Sequence, residues 1–496
     1  MSAIDWVIVA LYAGILVWIG VAASRRQSDT DEYFRGSRQI PWWAIGFSII
    51  ATSFSGAALL GGAAQGYGTG LIYLQTQIGD LIGIVLVIIF FLPFFIGLNL
   101  TTAYEYLERR FDNKTRALGS ICFLLFVIAR LGGLLYAAAL AVSEVISIPV
   151  WAAIILVGVV SIVYTAAGGI AAVIWTDVLQ FFMIFVGLGA GLWAVANGVP
   201  GGIGELWSTA AEAGRYTVIV PTWNPSDLFT LPTVLIAYSM LAFAVAGTNQ
   251  QSVQRYVSCS DVASGRKAML LGWAAGLIGV AATLIFGTFL YSFYTINPGL
   301  PESVTGDRIL PYFIVNNVPA GAAGLLTAAI FSAAMSSIDS ALHAISTCFT
   351  VDFYERYTRQ EITQEKSLKV AQGLIVVCGI VGIGAAFYAA STEENLLPFL
   401  IKYVTLSLGP LLGLFLMGVL VPRINATGAF FGAVAAILIL TIAIASQTLP
   451  LPAFWGSAMT APLSVAIGYV ISLATGVPAE RSIKGLTLWS KEPAID

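Results

Sequence analysis

Charge is what this chain has least of: only 10% of its 496 residues are Asp, Glu, Lys or Arg, while 58% are hydrophobic. A soluble domain carries roughly a quarter charged residues. A fold in water is therefore excluded, and with it soluble enzymes, nucleic-acid binders and disordered scaffolds. The formal net charge of -3 gives no basis for a polyanionic partner. Cysteine is scarce too. Its four copies, Cys122, Cys259, Cys348 and Cys378, lack metal-ligand spacing and three lie in apolar runs, so neither a disulfide framework nor a zinc site is indicated. With a single histidine, His343, the chain also lacks the nucleophile–base pair or metal cluster that an intramembrane enzyme needs. Glycine is abundant, at 50 residues, which suits membrane helices that approach one another closely.

A membrane helix takes about 20 mostly apolar residues. Thirteen such stretches run along the chain, near 5–24, 41–66, 71–98, 117–145, 150–168, 175–197, 228–248, 268–294, 319–350, 369–391, 397–421, 427–446 and 457–475. The expectation is an all-α polytopic membrane protein whose first helix is retained, since no small-residue cleavage site follows it. Loops after odd-numbered stretches, together with the C-terminal tail, hold 19 of the 23 Lys and Arg residues. Lys and Arg mark the cytoplasmic side, which puts the N-terminus outside and the C-terminus in the cytoplasm. The segment 198–227 reads as an extracellular loop over the membrane surface, and 351–368 as a short interfacial helix on the opposite side.

Ionisable residues inside spans are costly and are functional candidates by default. Asp80, Arg130, Asp339 and His343 lie deep in their stretches, with Glu144, Asp177 and Lys402 nearer the ends. In SAAMSSIDSAL, residues 332–342, Ala333, Ser336, Ser337 and Ser340 share one helical face and Asp339 adjoins it. Such oxygens can replace the water shell of a small hard cation. Serine in a membrane helix also bonds its own i-4 carbonyl, which does not explain a mid-span carboxylate. The second stretch, SIIATSFSGAALLGG at 48–62, is rich in small and hydroxyl residues. It can unwind locally, and unwound backbone at that depth lines a cavity and offers carbonyls to an ion; close packing through small residues is the alternative. Asp177, at the start of the sixth stretch, reads either as a helix N-cap or as part of a site. Arg130 needs an anionic partner, either Asp80 in a structural pair or a substrate carboxylate held bidentately. His343 reads as a packing residue, with proton carriage as the alternative.

These segments resemble the sodium:solute symporter family, with bacterial sialic acid symporters nearest in motif. The resemblance is carried by DEYFRGSRQIPWWAIGFSIIATSFS (31–55), TAYEYLERRFD (102–112), YTAAGGIAAVIWTDVLQ (164–180), NQQSVQRYVS (249–258) and AAIFSAAMSSIDSALHAISTCF (328–349). It implies a leucine-transporter-like fold of two inverted five-helix repeats. The divisions expected are a first flanking helix and loop at 1–40, the repeats at 41–197 and 228–421 on either side of the 198–227 loop, and flanking helices and tail at 422–496. It further implies a sodium site from the carbonyls of Ala51, Phe54 and Ala333 with the hydroxyls of Ser336 and Ser337. A second sodium site would match Asp177, Ser336, Asp339 and Ser340, with Asp339 replacing a serine of the family pattern. Arg130 falls where a substrate carboxylate is held, with Ser53, Ser55 and Gln77 at other substrate positions and Ala58 where a hydroxyl is expected.

The function so implied is sodium-coupled import of a small organic solute by alternating access, an anionic carboxylate such as sialic acid first. A neutral sugar, a zwitterionic amino acid such as proline, or a simple monocarboxylate are the alternatives. Sodium, the solute and the bilayer are the partners expected, with no obligate protein partner, in a cell inner membrane. Moving one elementary charge through 100 mV is worth about 2.3 kcal/mol. One sodium with one monocarboxylate is electrically silent, whereas two carry a net positive charge and draw on the voltage.

Overall fold

The computed structural model describes residues 2–24, 30–146, 148–358, 362–391, 396–446, 448 and 451–490. Among these, ten helices are long and apolar enough to cross a membrane, and one bent helix pair passes the same test as a unit. Two shorter apolar helices, Val150–Val163 and Ser407–Leu420, add to them. The chain is a multi-pass membrane protein. Of the expected residues, Arg25, Arg26, Arg359 and Lys491 and the side chains of Glu144 and Lys402 lie outside the described set.

The helices used below are α1 (Ala3–Ser24), α2 (Thr30–Arg35), α3 (Trp42–Ser53), α4 (Gly56–Thr69), α5 (Thr76–Phe90) and α6 (Asn113–Ile146). They continue as α7 (Val150–Asn197), α8 (Gly202–Glu212), α9 (Ser239–Thr248), α10 (Gln250–Val257), α11 (Val262–Ile296) and α12 (Ala322–Cys348). The last four are α13 (Gln364–Ser391), α14 (Leu396–Leu420), α15 (Ala426–Ala445) and α16 (Gly456–Thr475). The central element is α12, buried along nearly its whole length and packed most extensively on α7. Its first turn is held by α1: the Asp5 carboxylate accepts from Gly321 N and Gly324 N, both at 2.8 Å. An acidic group at a helix N-terminus satisfies orphan N–H groups and complements the dipole.

Helices α4 and α11 touch backbone to backbone. A Cβ on Gly287 would lie 2.0 Å from the Ala63 carbonyl oxygen, so only glycine admits this approach. The fifth and sixth stretches are not separated by a loop. Within α7 two helices meet directly, at a break where Gly169 takes φ 56, ψ -176, a combination essentially restricted to glycine. Asp177 accordingly sits inside a helix and caps nothing.

The connecting segments are more structured than their polarity suggested. The 198–227 segment contains α8, packed on α11, and Arg215 donates to the carbonyls of Tyr67 and Gly68 at 2.5 and 2.6 Å. The 351–368 segment begins as a continuation of α12, through a π-helical turn at Phe349–Tyr354 and a last turn at Glu355–Tyr357. Several basic loop residues are buried rather than solvated. Arg110 donates to the Gly418, Val421, Pro422 and Ile424 carbonyls at the end of α14. Arg116 pairs with Asp352 at 2.6 Å and Glu108 at 2.6 Å.

Candidate functional site

The site begins with a break. Helices α3 and α4 are bent by 66° across Phe54 and Ser55. Phe54 leaves helical geometry (φ -87, ψ 74) and Ser55 is extended (φ -75, ψ 167). The Ser55 side chain accepts from Ala58 N at 3.2 Å, so the chain restarts as a helix with its own N-cap. The Ser55 N–H turns to the Ser53 carbonyl at 3.1 Å, so the Ala51 carbonyl loses its in-helix donor. A buried carbonyl needs another partner, and α12 supplies hydroxyls. Ser336 donates to the Ala51 carbonyl at 2.7 Å, and Ser337 donates to the Thr52 carbonyl at 2.8 Å. Ser336 also lies 3.1 Å from the Ala333 carbonyl.

Ala51, Ala333 and Ser336 thus meet at one point, with Ser337 beside them and Phe54 at the break itself. Among the described residues no three His, Cys, Asp or Glu side chains group as a metal cluster. Neutral carbonyl and hydroxyl oxygens on an irregular backbone are the donor set of a hard monovalent cation, and these residues fit sodium.

A second buried polar cluster lies one turn further along α12. Ser340 and Asp177 are brought together, and so are three residues not expected there: Ser48, Thr52 and Arg255. Arg255 Nη2 is 2.9 Å from Asp177 Oδ2 and also donates to the Ser340 hydroxyl. Its Nε donates to Ser48 at 2.8 Å and its Nη1 to the Gln251 carbonyl at 2.6 Å. Ser48 and Thr52 donate to Asp177 Oδ2 at 2.5 and 3.4 Å, and the Thr52 and Ser340 hydroxyls are 3.0 Å apart. Asp339 accepts from Thr165 of α7 at 3.1 Å. In the sequence Arg255 falls between two apolar stretches, where a basic residue reads as a solvated loop charge. The signal lay in NQQSVQRYVS itself, whose Gln250–Val257 part is an α-helix with seven buried residues.

Arg130 does not pair with Asp80. It donates to Gln251 Oε1 at 2.9 Å, while Asp80 accepts from Gln77 at 3.0 Å. Ser53 is exposed and donates to its own helix at Ile49, whereas Gln77 is buried and its carbonyl accepts from Trp273. Ala58 is half-buried, its N–H held by the Ser55 cap. His343 is wholly buried, with the rings of Tyr33 and Phe34 from α2 at 5.2 and 6.4 Å.

A broken helix facing a hydroxyl-lined neighbour across the middle of a membrane bundle defines a secondary transporter rather than an enzyme. The comparisons with known proteins agree. The model of the sodium:solute symporter family matches residues 33–436, and the chain belongs to that family. It is similar to the sodium/sialic acid symporter NanT of Aliivibrio fischeri, 36% identical over 439 residues, 88% of this chain and 86% of that protein. It is 34% identical to the sodium/sialic acid symporter SiaT of Proteus mirabilis, over 88% of each chain. The solved structure of a substrate-bound, outward-open Na+-coupled sialic acid symporter superposes with a TM-score of 0.88 at 31% identity, covering 96% of this chain and 99% of that one. The fold is that of the leucine-transporter-like symporters, and sodium is the coupling ion.

Proposed function

We propose that the protein imports a small organic carboxylate, with sialic acid the first candidate, driven by sodium. The observation that carries this reading is the Ser336 hydroxyl, which spans the gap from α12 to the Ala51 carbonyl at the α3–α4 break. Sodium held by the Ala51, Phe54 and Ala333 carbonyls and the Ser336 and Ser337 hydroxyls would use the lone pairs that those hydrogen bonds leave free and tie the broken helix to α12. That stabilises one state of the bundle and raises solute affinity there by reciprocal linkage. Asp177, Ser336, Asp339 and Ser340 form the second ion position. Arg130 takes the solute carboxylate as a planar fork, giving up or sharing its bond to Gln251. Ser53, Ser55, Gln77 and the backbone at Ala58 line the remainder of the solute position.

The bundle, built from the repeats 41–197 and 228–421, rocks and opens inward to release ion and solute, with the N-terminus outside, the C-terminus in the cytoplasm and the protein in the inner membrane. The relatives' names support sialic acid, and the lysine and arginine distribution supports the orientation.

The test is uptake by proteoliposomes of labelled sialic acid, a monocarboxylate, glucose and proline in parallel. An inward sodium gradient should concentrate sialic acid, and potassium should not substitute. Accumulation of glucose or proline instead, or equal uptake with potassium, contradicts the reading.

A further inference from the structure

We propose that the Arg255 guanidinium is the resident counter-cation of the Asp177 position, and that a second sodium ion is its competitor, bound only when Arg255 withdraws. This rests on the second ion position given above. The geometry makes the two cations alternatives. Any ion shared by Asp177 and Ser340 must sit between their oxygens, and Arg255 Nη2 already bridges those two groups. The guanidinium is 1% exposed and is fixed from three sides, by Ser48, the Gln251 carbonyl and Asp177. Asp177 Oδ1, in contrast, has no hydrogen-bond partner among the described residues. The carboxylate's recorded partners all lie on Oδ2, so once Arg255 leaves, both carboxylate oxygens can face an ion.

Arg255 is also tied to the solute position. It shares α10 with Gln251, whose main-chain carbonyl accepts from Arg255 and whose side-chain oxygen accepts from Arg130. Withdrawal of α10 would free the Asp177 carboxylate for sodium and the Arg130 fork for a solute in one movement. While Arg255 stays in place, the protein carries one sodium with its solute; once Arg255 leaves, it can carry two. Arg255 is thus a positioning and stoichiometry-setting residue.

The test uses the purified full-length protein, titrated with sodium against choline at constant ionic strength, with calorimetry and bound labelled sodium as readouts. Arg255→Gln should tighten the weaker sodium event at least about tenfold, as expected when a competitor is removed. Asp177→Asn should delete that event in both the wild-type and Arg255→Gln backgrounds. A merely structural arginine would behave oppositely, its loss weakening sodium binding. Unchanged or weaker affinity in Arg255→Gln, with Asp177→Asn still deleting one event, overturns the competition and leaves the second position standing. If Asp177→Asn deletes nothing in either background, the second position itself fails and the competition with it. Should Arg255→Gln not yield monodisperse protein, Arg255→Lys replaces it. The shorter ammonium competes less well, so affinity should rise about threefold, and no rise overturns the proposal.

Discussion

Replacing Ser336 by alanine separates an ion ligand from packing filler, because the two roles change different quantities. The hydroxyl is fully buried and reaches the Ala51 carbonyl at 2.7 Å, at a point where that carbonyl has lost its helical donor. Removing it leaves a buried acceptor unpaired, which costs about 1–3 kcal/mol of stability whether or not sodium is present. If the hydroxyl also faces sodium, a hydrogen-bond-like contact to a full charge, worth about 1.5–3 kcal/mol, is lost in addition. That second loss corresponds to roughly a 10- to 150-fold weaker sodium affinity. Thermal unfolding across a sodium series reads both: the sodium-free melting temperature falls, and the sodium concentration giving half-maximal stabilisation rises at least tenfold by linkage. Ser332→Ala is the matched control, since that buried hydroxyl donates to the Ala328 carbonyl of its own helix at 2.7 Å rather than across to the broken helix. It should leave the sodium midpoint alone. A lowered melting temperature with an unchanged sodium midpoint in Ser336→Ala would refute the ion role.

Other perturbations follow from the same geometry. Arg130→Ala should abolish binding of a carboxylate solute in calorimetry while sodium binding persists; loss of both would make Arg130 part of the scaffold through Gln251. Gly169→Ala places a Cβ on a residue at φ 56, ψ -176, and should lower stability by about 1–3 kcal/mol, seen as a lower melting temperature. The Asp261 carboxyl caps α11, and hydrogen bonds from Ser264 N–H and the Ser260 hydroxyl hold it down to about 2. Its folded value lies below the ordinary 3.8, so its contribution is present above 3.8 and is lost as pH falls through about 2. Acidification from neutral to pH about 5 should therefore leave the hydrogen-exchange protection factors in the first turn of α11, corrected for the pH dependence of the intrinsic rate, unchanged. Lower protection there at pH about 5 would show that the cap does not act as an ionised group.

Much of this was readable from residue order. The break in the second stretch follows from its run of small and hydroxyl residues, and the serine face of α12 follows from helical spacing alone. Asp177 was misplaced for a definite reason. Gly168 and Gly169 look like a loop, but the single non-helical residue Gly169 breaks the chain and the next helix starts at once, so Asp177 is already well inside it. Arg255 was missed because counting basic residues by loop assumes that loop residues are solvated, whereas α10 folds back into the bundle and buries its arginine. The Arg130 and Asp80 alternatives illustrate the same limit. Each charge needs a polar partner, and a neutral glutamine, Gln251 or Gln77, supplied it in both cases.

The central claim is that ion and solute move together, and the most direct measurement is sodium driven by the solute. Proteoliposomes with equal labelled sodium on both sides should take up sodium against its resulting gradient when unlabelled sialic acid is added outside, and Ser336→Ala should largely lose this response. Sodium entry that is indifferent to the solute, or identical in the variant, would contradict the account.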